Sequence, residues 1–119
     1  MKGGKCVKML TISEYQSECE RTIPNDVDDV ENAKNFCLGL AEESGEVIGL
    51  FKKRMYHGHR LPLDKTIEEL GDVLFYVGGL CSILGIELEA VMQQNIKKRY
   101  ERFPNGFTSK DSIERRDVK

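Results

Sequence analysis

Two short acidic motifs carry the most chemistry in this chain: Glu42-Glu43-Ser44-Gly45-Glu46 and Glu69-Leu70-Gly71-Asp72. On a helix, residues three apart share a face, so each motif presents a pair of carboxylates to one point. Four anionic groups converging inside a helical bundle repel one another unless cations lie between them. Hard divalent ions take oxygen ligands of this kind, and magnesium so held commonly grips substrate phosphates as well. The expected ligands are Glu43, Glu46, Glu69 and Asp72, with Glu42 pointing further round the helix. One carboxylate is also available to take a proton from an attacking water.

Basic residues suited to a phosphate tail follow the same logic. Lys52 and Lys53 come near the end of the first acidic helix, and Lys98 and Arg102 lie further on, beside Asn95. Asn95 offers a neutral donor and acceptor to a phosphate, a sugar hydroxyl or a metal-bound water. His57 and His59 form a single His-x-His without an evident third ligand, which suits a loop better than a zinc site. The Glu-x-x-His motif of di-iron bundles is missing, because Arg54 and Tyr56 stand three residues before the two histidines. Ligation by oxygen alone favours magnesium, with manganese as a substitute, over redox iron.

The elements that must position these groups read as helices. The first opens at Thr11, where Thr11-x-x-Glu14 forms a capping box and Leu10 is placed to staple onto Tyr15. It reaches about Arg21 and stops before Pro24. The second spans about Val30 to Met55, with Phe36, Leu40, Val47 and Leu50 on one stripe. Glu43 falls in the middle of that stripe and Glu46 at its edge. An ionised glutamate among core positions is costly without a partner.

His57 to Pro62 breaks the chain, and the third helix runs from about Asp64 to Leu84. Thr66-x-x-Glu69 also fits a capping box, with Asp64 as an earlier competing cap. The third helix is apolar on two sides. Ile67, Leu70, Leu74, Val77, Cys81 and Leu84 make one stripe, while Tyr76, Leu80 and Ile83 accompany Glu69 and Asp72 on the other. A helix buried on both sides in so short a chain calls for a partner subunit, hence a homo-oligomer. After Gly85 the fourth helix covers about Glu87 to Phe103, with Leu88, Val91, Met92 and Asn95 inward. The expectation is an all-α, antiparallel four-helix bundle that oligomerises through helix faces. Residues 1–107 form its single domain, and 108–119 form a polar, loosely held tail.

With 119 residues, one domain is the natural reading, and 39% hydrophobic residues supply its core. The net charge of −2 argues against a nucleic-acid binder. No apolar run approaches the roughly 20 residues that span a bilayer, and the start lacks a signal peptide's apolar stretch. Cys6, Cys19, Cys37 and Cys81 show no Cys-x-x-Cys spacing. They read as reduced, mostly packing thiols of a cytoplasmic protein.

The chain resembles the MazG-like family of all-α nucleoside triphosphate pyrophosphohydrolases, in a short, single-domain form without a tandem second domain. The resemblance rests on both acidic motifs, on Leu38-Gly39-Leu40-Ala41 before the first, and on Glu68 to Tyr76 around the second. It continues through Gly85 to Val91 and then Asn95, Lys98, Arg102, Pro104, Gly106 and Phe107, so that it covers residues 37–107. It implies a magnesium-dependent hydrolase that releases pyrophosphate from a nucleoside triphosphate and leaves the monophosphate. It also implies an oligomer with a dimer as minimal unit. Glu43, Glu46, Glu69 and Asp72 become metal ligands, Glu42 a supporting group, and Asn95, Lys98 and Arg102 contacts to the substrate phosphates.

House-cleaning or control of nucleotide pools is the role that follows. Hydrolysis of dUTP or phosphoribosyl-ATP is the alternative within the superfamily, and a non-catalytic nucleotide- or partner-binding bundle is the alternative outside it. Base and sugar preference would depend on the region around helix one and the start of helix two, with Gln16, Asn32 and Phe36 as candidates.

Overall fold

The computed structural model describes residues 9–118, and Cys6 lies outside them. Five helices follow in order: α1 Ile12–Glu20, α2 Asp29–Tyr56, α3 Leu63–Ile83, α4 Leu88–Arg102 and α5 Ser109–Glu114. No strand occurs among the described residues. The fold is all-α.

Local chemistry sets the boundaries. Thr11 caps α1 through the expected capping box, its hydroxyl accepting from the Glu14 N–H while the Glu14 carboxylate accepts from the Thr11 N–H. Leu10, expected to staple onto Tyr15, instead stays largely exposed. Asp28 caps α2 by accepting from the Glu31 N–H at 2.8 Å. At the end of α3, Gly85 takes φ +71°. The Ile86 N–H then reaches the Cys81 carbonyl at 2.8 Å, and the Gly85 N–H reaches that of Ser82 at 3.1 Å. This is a Schellman termination, and the positive φ is what requires glycine there.

The α2–α3 pair is the body of the molecule. Its helices approach closely because small residues face large rings. A Cβ on Gly39 would enter the Tyr76 ring, and one on Gly79 would enter that of Phe36. These two pairings show that the helices run antiparallel. The same register, carried further along, sets Glu43 level with Asp72 and Glu46 level with Glu69. Phe36, 3% exposed, packs edge-on to Tyr76 with ring centroids 5.3 Å apart and lies 5.6 Å from Phe75. The α1 helix covers α3, where buried Cys19 lies against Gly78. Cys19, Cys37 and Cys81 are all free thiols; Cys19 and Cys81 are packing groups, but Cys37 is exposed.

The α3 stripe that called for a partner subunit has Ile67, Leu70, Leu74 and Leu84 exposed in the single chain, while its Cys81 is buried. The inward face expected of α4 needs correcting: Leu88 is buried, but Val91, Met92 and Asn95 are exposed. The segment after residue 107 is more structured than a loose polar tail, since it contains α5. Thr108 caps that helix by accepting from the N–H of buried Asp111, and Arg116 pairs with the Asp111 carboxylate at 3.1 Å.

The chain turns by 109° between α3 and α4. Gln16 holds that corner. Its amide nitrogen donates to the Ser82 hydroxyl and the Ile86 carbonyl, while its amide oxygen accepts from the Leu88 N–H at 2.8 Å. The last contact satisfies an otherwise unpaired donor at the start of α4. Gln16 is thus committed to the backbone. Replacing it with leucine should cost about 1–2 kcal/mol in urea unfolding, through lost and stranded hydrogen bonds. Unchanged stability would show that the corner does not depend on it.

Candidate functional site

The second and third helices bring Glu43, Glu69 and Asp72 together, each offering an oxygen within 4.8 Å of the others. Glu69 is buried at 5% exposure, while Glu43 and Asp72 are half-buried. The placement follows from the sequence. Glu43 interrupts the apolar stripe of α2, and Glu69 and Asp72 are one turn apart on the α3 face that packs against it. Glu46 is exposed and outside this group, although its backbone is level with Glu69. Glu42 is exposed beside Glu43. Among the described residues, neither His57 nor His59 belongs to a ligand group of this kind.

The capping role considered for Glu69 is ruled out by the first turn of α3. Pro62 is the N-cap, with no side-chain cap bond. Thr66 instead sits inside the helix, its hydroxyl donating back to the Pro62 carbonyl at 2.9 Å. The Glu69 carboxylate is therefore available to the cluster. Its neighbour is Lys65, whose ammonium lies 2.9 Å from one Glu69 oxygen and 3.4 Å from Glu68. Lys65 was readable as an i,i+4 partner but carries no motif.

Charge crowding shows in the protonation of the cluster. Glu43 is pushed up to about 7, first by its hydrogen bond with Glu69, then by burial and the charges of Glu69, Asp72 and Glu42. Glu69 moves the other way, held down first by Lys65 and then by Glu43. One proton is therefore shared between two carboxylates in the absence of a metal. Tyr15 of α1 stands close by. Its phenol is pushed up to about 12 by burial, then by Cys19 and by Asp72, so it stays a proton donor at the edge of the site.

Three oxygen donors with one neighbouring ammonium suit a hard divalent cation, which would take the place of the shared proton. The sign of the pH effect follows. A carboxyl raised above its ordinary 4.5 stabilises the fold fully below that value, and the contribution is lost as pH rises through about 7. Magnesium should therefore raise the melting temperature little at pH 5 and clearly at pH 8, relative to a chelator. Scanning calorimetry checks this; an increment that is flat with pH, or larger at pH 5, would contradict it.

The other expected residues are carried by the end of α2, by α4 and by the start of α2. Lys53 is exposed in the last turn of α2. Asn95 and Lys98 are exposed on α4, a helix that packs on α1 and α3. Lys98 and Arg102 face an aspartate from the segment after α5, at 3.9 and 3.8 Å. Asn32 and Phe36 are buried. The Asn32 amide donates to the Pro24 carbonyl at 2.9 Å, tying down the α1–α2 connection.

The family model of the MazG nucleotide pyrophosphohydrolase domain matches residues 31–107, which include both acidic motifs and α4. The Gene 37 protein of Mycobacterium phage L5 is 31% identical over 85 residues, covering 68% of this chain and 75% of that protein. No solved structure matches the chain.

Proposed function

Since the chain belongs to the MazG nucleotide pyrophosphohydrolase family, we propose that it hydrolyses nucleoside triphosphates, ribo or deoxy, to the monophosphate and pyrophosphate with magnesium. The observation that carries this reading is the convergence of Glu43, Glu69 and Asp72, each offering an oxygen within 4.8 Å of the others. Glu46 completes the ligand set by swinging inward from its position level with Glu69. Manganese is the natural substitute, since it takes the same oxygen donors.

When bound, the cation supplies positive charge against the phosphate oxygens and polarises the phosphorus under attack. The side chains do the rest. Glu42, or a carboxylate of the cluster with a free oxygen, accepts a proton from water as the water oxygen attacks the α-phosphorus. The α–β anhydride bond breaks, and its bridging oxygen leaves with pyrophosphate. Tyr15, Asn95, Lys98, Arg102 and Lys53 are the groups proposed to hold the phosphates, as donors or cations.

The reading includes a homo-oligomer, a dimer or tetramer. Its support is the apolar surface left open on the single chain: Ile67, Leu70 and Leu74 on α3, and Val91, Met92, Ile96 and Tyr100 on α4. A radius of gyration of 17.7 Å against about 13–14 Å for a compact chain of this length points the same way. A cytoplasmic setting is part of the reading, as is a role in clearing or balancing nucleotide pools. No single described helix is long and apolar enough to cross a membrane.

The test is incubation of the purified chain with magnesium and a panel of nucleotides that includes dUTP and phosphoribosyl-ATP. Pyrophosphate and the matching monophosphate in equal amounts are expected. Tight nucleotide binding without turnover on any member would replace the enzyme with a binding bundle.

A further inference from the structure

The chain doubles back on α4 after α5. Arg115 reverses its direction at φ +52°, and the Val118 N–H donates to the Arg115 carbonyl at 3.0 Å, closing a turn that presents Asp117. The Arg115 guanidinium grips both Asp117 carboxylate oxygens at 3.2 Å. Lys98 and Arg102 approach the same carboxylate at 3.9 and 3.8 Å. The Asp117 side chain has no exposed surface. A carboxylate so withdrawn from water persists only among cations, and here three of them converge on it.

The fit is incomplete on one side. Arg102 Nε is buried without a hydrogen-bond acceptor, because 3.8 Å is a charge contact and too long for a hydrogen bond. A second nitrogen of Arg102 donates weakly to the Ser112 hydroxyl at 3.3 Å. A phosphate offers more oxygens over a wider span than a carboxylate and would satisfy both α4 cations better.

We propose that Asp117 is an internal competitor for the substrate's polyphosphate: the turn at residues 115–118 closes on Lys98 and Arg102 and must open before a phosphate can engage them. This rests on reading Lys98 and Arg102 as phosphate-binding residues. Arg115 orders the turn that presents Asp117, since it makes the two shortest contacts to that carboxylate. Its grip also holds the Asp117 carboxyl below the usual range, so the competitor stays charged. An apparent affinity scales with the open fraction, so a turn closed about nine-tenths of the time weakens phosphate binding about tenfold.

Two variants test this, Asp117→Asn and Arg115→Gln. They change net charge in opposite directions, so a simple charge effect would move them apart, whereas release of the turn moves them together. Both should lower KM for the triphosphate with kcat little changed, Asp117→Asn by about three- to tenfold and Arg115→Gln by less. Calorimetric binding of inorganic tripolyphosphate to the metal-free chain should tighten in parallel, giving a readout that needs no turnover. Affinity unchanged or weakened in either folded variant overturns the proposal. Should neither the native chain nor the variants hydrolyse any nucleotide while both variants bind tripolyphosphate more tightly, the enzymatic reading fails and the competition by Asp117 stands.

Discussion

Glu69→Gln should abolish pyrophosphate release, with kcat/KM falling about 100- to 1000-fold or more, while the helical circular dichroism is retained. The amide has the shape of the carboxylate but neither its charge nor two equivalent acceptor oxygens. It removes the central ligand of the group formed with Glu43 and Asp72, and it releases Lys65 from its 2.9 Å contact. Glu43 then loses the partner that does most to raise its pKa. The melting-temperature gain produced by magnesium at pH 8 should disappear with the activity. Turnover within about threefold of native would place the chemistry elsewhere, since a single lost catalytic contact is normally worth far more than that.

Phe36→Ala should be the most damaging change to stability, costing about 3–5 kcal/mol in urea unfolding. The ring is 3% exposed, fills the space left by Gly79, and contacts both Phe75 and Tyr76. Its removal opens a cavity over Gly79 between α2 and α3, the pair that carries the carboxylates. The ranking of nucleotides hydrolysed at low temperature should not change, because the ring is buried in the core. A stability loss below about 1 kcal/mol together with an altered ranking would return Phe36 to the substrate.

How much could be read from the residues alone differs from element to element. The capping box at Thr11, the glycine termination at Gly85 and the long helices between them depend on local chemistry, and they match the expectation within a residue or two. The meeting of Glu43 with Glu69 and Asp72 was also legible, because an acid inside an apolar stripe must face something. Thr66-x-x-Glu69 has a capping-box spacing, but that spacing marks a cap only when the helix begins there, and Pro62 starts this one earlier, close to the expected start at Asp64. The α5 helix spans six residues, too few for periodicity to show it. How α2 and α3 interlock was not legible. It depends on Gly39 and Gly79 admitting aromatic rings, a fit between helices that neither helix shows alone. The same limit hid Gln16, whose partners lie 66 to 72 residues away.

The most direct test is anomalous diffraction from crystals of the native chain grown with manganese. The account predicts a peak between Glu43, Glu69 and Asp72, with Glu46 turned inward and the Lys65 ammonium moved away from Glu69. Manganese bound only at other positions, with the Glu43–Glu69 hydrogen bond intact and the cluster metal-free at pH 8, would contradict it.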